Sequence, residues 1–139
     1  MTEPRNPAIA ALLLRVSLGT MFVAHALLKY FVFTLPGNAQ FFESLGLPGA
    51  LGYLTFAAEL VGGVLLIAGV QVRTVALALV PILIGATWVH AGNGWLFTAP
   101  NGGWEYPAFW TVALVVQALL GDGALAFRTV PSPRTLQRA

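Results

Sequence analysis

Three ionisable side chains interrupt one apolar stretch of this chain, and their spacing puts them on a single stripe. Arg15, His25 and Lys29 lie in the run from about Ala8 to Phe33. His25 and Lys29 are one helical turn apart, and the step from Arg15 to Lys29 is nearly four turns of about 3.6 residues. A helix here carries one polar face, with Gly19 and Phe22 on or beside it. Glu59 stands near the middle of a second apolar run and is followed by Gly62 and Gly63. His90 closes a third run, and Glu105 precedes a fourth. Histidine and lysine beside carboxylates can donate hydrogen bonds to a carbonyl and pass protons. Two histidines and a carboxylate are also a nominal metal set, but their spacing matches no metal motif and Lys29 would repel a cation; no metal site is expected.

The absence of cysteine excludes catalytic thiols, disulfide relays, iron–sulfur clusters and thiolate metal sites. Gly121-Asp122-Gly123 reads as a helix end, because a phosphate loop needs a strand–loop–helix context.

These groups sit in segments that must be surrounded by lipid. Apolar residues make up 58% of the 139 and charged residues 9%, against about 45–50% and 25% in soluble domains. A soluble domain of this size buries only about two-thirds of its surface and could not hide the excess. The four runs, about Ala8 to Phe33, Leu51 to Val70, Thr74 to Ala91 and Pro107 to Phe127, approach the roughly 20 residues a spanning helix requires. Lipid cannot satisfy backbone groups and four short strands cannot close a barrel, so the runs are helices. The expected fold is all-α: one membrane domain over residues 1–139, a polytopic four-helix bundle with a flexible tail at 128–139. Ala24-His25-Ala26 resembles a cleavage triplet, but Arg15 interrupts the apolar stretch and the run continues past it, which argues against a cleaved leader.

Between the first two runs, Phe41, Phe42 and Leu45 fall on one side of a short segment bounded by Pro36-Gly37-Asn38 and Leu47-Pro48-Gly49. That pattern predicts a short interfacial helix. Arg5, Arg73, Arg128, Arg134 and Arg138 lie at one end of the predicted bundle, and Lys29, Glu43 and Glu105 at the other. The positive-inside rule then places both termini in the cytoplasm and the long loops outside the inner (plasma) membrane. Trp88, Trp95, Trp104, Tyr106 and Trp110 gather toward the outer interface, as a membrane belt does. The small, scattered net charge of +2 gives nucleic acid no footprint.

A charge inside the membrane costs at least about 2.5–3.5 kcal/mol, so each needs a partner or water. Glu59 is the natural counter-ion for Arg15 or Lys29, and Arg15–Glu59 is expected as a structural ion pair. Such a pair can be simple helix–helix glue. Glu105 suits the positive end of the fourth helix as a capping charge, and His90 can be an interfacial side chain. The convergence of His25, Lys29, Glu59, His90 and Glu105 toward one mouth exceeds what glue requires, and these five are the expected substrate-binding residues.

The same residues resemble the DoxX family of small four-helix membrane proteins. The matching pieces are Leu14-Arg15, Gly19, Phe22, His25 and Lys29; Leu45-Gly46-Leu47-Pro48; Glu59-Leu60, Gly62-Gly63, Leu66 and Gly69; and Asn101-Gly102-Gly103-Trp104-Glu105-Tyr106. Ala26 stands where the family usually has glycine, and Ala126-Phe127-Arg128 where it often has Ser-Leu-Asp. The resemblance implies a membrane subunit associated with quinone-linked redox chemistry, as in thiosulfate:quinone oxidoreductases, terminal quinol oxidases and oxidative-stress complexes. It implies no intrinsic cofactor beyond a bound quinone. The electron carrier would then sit on an oxidoreductase partner or be the quinone itself, with a homo-oligomer as the other assembly. In this setting His25, Lys29 and His90 would donate to the quinone carbonyls, and Glu59 or Glu105 would carry protons. Two other readings compete: a proton-coupled exporter built on Glu59, and a structural or assembly subunit.

Overall fold

A computed structural model describes residues 5–127; the tail at 128–139, with Arg128, Arg134 and Arg138, lies outside them. The described chain is helical: α1 Arg5–Phe31, α2 Leu35–Ser44, α3 Ala50–Ala68, α4 Val72–His90 and α5 Glu105–Leu120. α1, α3 and α4 are long and apolar enough to cross a membrane, and α5 is a shorter apolar helix. Leu54, Phe109 and Leu119 are at least 63% exposed on the flanks of the bundle. Water-facing helices carry polar residues there. The molecule is a polytopic membrane bundle.

Each long helix packs against the next in the order α1–α3–α4–α5, and α5 closes back on α1. Successive helices alternate in direction, as in an up-down bundle. The tightest seam joins α1 to α3. A Cβ built on Gly19 would lie 2.6 Å from the Gly63 carbonyl oxygen, and one on Gly63 would lie 2.8 Å from that of Gly19. Small residues here let two backbones touch.

Chain reversals set where the helices end. Thr34 (φ 63°) turns the chain out of α1, and its hydroxyl accepts from the Gly37 amide to cap α2. α2 folds back on α3, where the Asn38 Nδ2 donates to the Gly52 carbonyl at 3.0 Å. α3 stops at Gly69 in the left-handed conformation, a common helix C-terminus.

α5 ends at Leu120, short of the expected Phe127. Gly121 and Gly123 both have positive φ, and the chain then runs across the bundle end. There the Ala124 amide reaches the Ala8 carbonyl and the Phe127 amide reaches that of Ala68.

Arg15 holds that end together, and its partner corrects the expected ion pair. Its guanidinium is fully buried and donates to the carbonyls of Leu66 (3.1 Å), Ile67 (2.7 Å) and Ala124 (2.8 Å). Glu59 lies about two turns further along α3, roughly 10 Å away by helical rise, and pairs with Lys29 instead. The last carbonyls of a helix have no amide partner and carry the negative end of its dipole. Arg15 therefore finds its counter-charge in backbone, with Asp122 adding a favourable charge interaction. Lysine has one donor nitrogen and no planar fork. Arg15→Lys is expected to lose about 2 kcal/mol of stability. In detergent, hydrogen exchange should quicken at the Ala124 and Phe127 amides; unchanged exchange there would remove the clamp.

Candidate functional site

At the opposite end of the bundle the polar stripe of α1 faces α3 and α5. The Lys29 Nζ lies 2.7 Å from the Glu59 Oε2, with side chains 16% and 6% exposed. One turn earlier, His25 Nδ1 is 2.9 Å from the Met21 carbonyl. A carbonyl only accepts, so Nδ1 carries the proton and Nε2 of the neutral ring is left as an acceptor. The His25 ring meets Trp110 of α5 edge-on at 4.8 Å, and Phe22 packs against the same indole at 4.6 Å.

A second pair joins α4 to α5. His90 Nδ1 donates to the Ala86 carbonyl at 2.7 Å, which fixes its tautomer, and Nε2 accepts from the Tyr106 hydroxyl at 2.9 Å. Gly102 lies over both rings. A Cβ there would be 3.4 Å from His90 and from Tyr106, and its φ of +81° suits glycine. The Asn93 amide nitrogen holds this turn by donating to the Gly102 carbonyl at 3.0 Å. Tyr106 and Trp110 are one turn apart on α5, so α5 links the His90 pair to the His25 contact.

Of the expected site residues, His25, Lys29 and Glu59 meet along α1 and α3, and His90 joins them through Tyr106 and Trp110. Glu105 does not join them. Its carboxylate accepts from the Phe97 amide at 3.0 Å, while its own amide donates to the Trp95 carbonyl. It clasps the loop before α5, the role of a capping charge. Among the described residues no group of three or more histidines and acids is placed to hold a metal.

Two buried residues escaped the sequence reading. Trp110 is 4% exposed, and its indole N–H has no partner among the described residues. An unpaired buried donor costs about 1–3 kcal/mol. Fully buried Gln117 donates to the Ala11 and Gly121 carbonyls, tying α5 to α1. Gln117 was legible as a lone amide in an apolar run. Trp110 was masked by its neighbours in the aromatic belt.

The comparisons with known proteins cover α1 to α4. The DoxX family model matches residues 10–92, more than half of the chain. Over 78 residues the chain is 44% identical to a protein of Bacillus subtilis (strain 168) named "Putative oxidoreductase CatD". That match covers 56% of this chain and 57% of the relative, so the chain spans little more than half of the relative's length. No solved structure matches. Arg15, His25, Lys29, Glu59 and His90 fall inside the family match, and Glu105, Tyr106 and Trp110 lie beyond it. The chain belongs to the DoxX family.

Proposed function

We propose that this protein is a four-pass subunit of an oxidoreductase system that binds a quinone, or a similar lipophilic ring, in the outer half of its bundle. The observation that carries this reading is the gathering of Lys29, Glu59 and His25 at the end of the bundle where Tyr106 and His90 are paired. Lys29 and Tyr106 offer donors, His25 Nε2 offers an acceptor, and Glu59 beside Lys29 can exchange a proton. The relative named as an oxidoreductase supports the redox setting. The basic residues at the Arg15 end support cytoplasmic termini in a plasma membrane, and Phe41 beside the exposed Phe31 and Phe33 supports an interfacial α2. The electron carrier belongs to a partner, since the chain has no cysteine and no haem or flavin motif. The lysine bound to Glu59 weighs against a cation exporter, because it already neutralises the one carboxylate such a mechanism needs.

The test is purification in mild detergent, with mass spectrometry of extracted small molecules and copurifying proteins. Wild type is expected to retain a quinone, and His25→Ala/His90→Ala to lose at least about tenfold of it, one lost hydrogen bond being worth about 1 kcal/mol each. Stoichiometric quinone unchanged in the double variant would remove this site.

A further inference from the structure

α4 and α5 leave between them a shallow groove of about 420 Å³, lined by Ile84, Thr87, Trp88, Ala91, Ala108 and Thr111. Ligand pockets run from about 300 to 1,000 Å³, so its size is that of a small-molecule site. The lining is chemically apolar despite two threonines. Thr87 Oγ1 donates to the Leu83 carbonyl at 2.8 Å and Thr111 Oγ1 to the Pro107 carbonyl at 2.7 Å, so both hydroxyls are spent within their own helices. Trp88 and Ile84 are 62% and 56% exposed, which opens the groove sideways. At its other end, Thr87 and Ala91 belong to the turn of α4 that carries His90, and Ala108 follows Tyr106 by two residues.

Charge decides what can lie there. No lysine or arginine occurs between Ile84 and Thr111, and the one carboxylate in that stretch is Glu105. A phospholipid whose chain entered the groove would bring its phosphate to a region with an acid and no fixed cation. A neutral head with a hydrogen-bonding ring oxygen meets instead the Tyr106–His90 pair.

We infer that the α4–α5 groove holds the hydrocarbon tail of a neutral-headed lipophilic ring compound, isoprenoid quinones being the matching class, with the ring toward Tyr106 and His90. This inference rests on the quinone reading above and assigns it an entry side. The tail gains no hydrophobic energy over lipid, which is equally apolar; it gains close packing and a fixed direction of approach.

The experiment uses the full chain in phosphatidylcholine nanodiscs and a benzoquinone with a two-isoprene tail ending in a diazirine. After photolysis, adducts are expected on residues 84–91 and 108–111, suppressed by excess unlabelled quinone. Ala91→Phe fills the groove and is expected to cut that labelling about tenfold. Ala108→Leu serves the same purpose should the first variant unfold on a thermal scan. Saturable adducts mapping to α1 and α3 would leave quinone binding in place and overturn the groove. Labelling without saturation anywhere would overturn both. Added phosphatidylglycerol is expected to have no effect; suppression equal to that by quinone would give the groove to a phospholipid chain and overturn the inference.

Discussion

Gly63→Leu is expected to lower the unfolding free energy in detergent by about 3 kcal/mol, the upper end of ordinary overpacking. The reason is what the new side chain would strike. Its Cβ would lie 2.8 Å from the Gly19 carbonyl oxygen and 3.0 Å from the Val23 amide nitrogen. Both are helix backbone and cannot rotate away, so α1 and α3 must separate. Separation at this level also lengthens the contacts on either side: the Lys29–Glu59 bridge toward one end and the grip of Arg15 on the Leu66 and Ile67 carbonyls toward the other. The neighbouring Gly62 provides the contrast. A Cβ there meets only the side-chain carbons of Leu79, at 3.0–3.3 Å, and a leucine can change rotamer, so Gly62→Ala should cost much less. Gly85 has nothing within 4 Å; Gly85→Ala should be neutral or stabilise by up to about 1 kcal/mol through helix propensity. Thermal unfolding of the three variants side by side checks the ranking. Gly63→Leu as stable as Gly85→Ala would show that the two backbones do not touch there.

That seam was half legible. The polar stripe Arg15, His25, Lys29 follows from residue spacing alone, and so does its burial, because lipid rejects charge. Which acid answers which base is a matter of height along the helices, and height depends on how two helices are offset. Once Gly19 opposes Gly63, Lys29 is level with Glu59 and Arg15 is level with the last turn of α3. The carbonyls that satisfy Arg15 belong to every residue type, so no side-chain pattern announces them. The end of α5 was misjudged for a related reason: Ala124 to Phe127 is apolar enough to continue a helix, and the positive φ of Gly121 and Gly123 breaks it. Glu105 was placed at the correct helix end and assigned one role too many. The ring order of the helices and the unpaired N–H of Trp110 arise from packing and have no signature in a single sequence.

The remaining question is whether Lys29 and Glu59 are glue or machinery, and one double-variant cycle separates the two. Lys29→Met leaves a carboxylate 6% exposed without its cation, and Glu59→Leu leaves the lysine without its anion. Breaking one side of a buried pair typically costs about 3–5 kcal/mol, whereas replacing both sides with apolar residues of similar size is often neutral or stabilising. Each single variant is therefore expected to unfold at a markedly lower temperature, and Lys29→Met/Glu59→Leu to return close to wild type. Stability recovers in the double variant whether the pair is functional or not, because recovery concerns only desolvated charge. Ligand retention does not share that symmetry. If the pair only locks α1 to α3, the double variant keeps its quinone along with its stability. If Lys29 donates to the ring and Glu59 exchanges its proton, the double variant is folded and empty. A stable double variant that has lost the ligand is the expected result; one that is stable and fully loaded would assign the pair to structure and leave His25, His90 and Tyr106 as the binding groups.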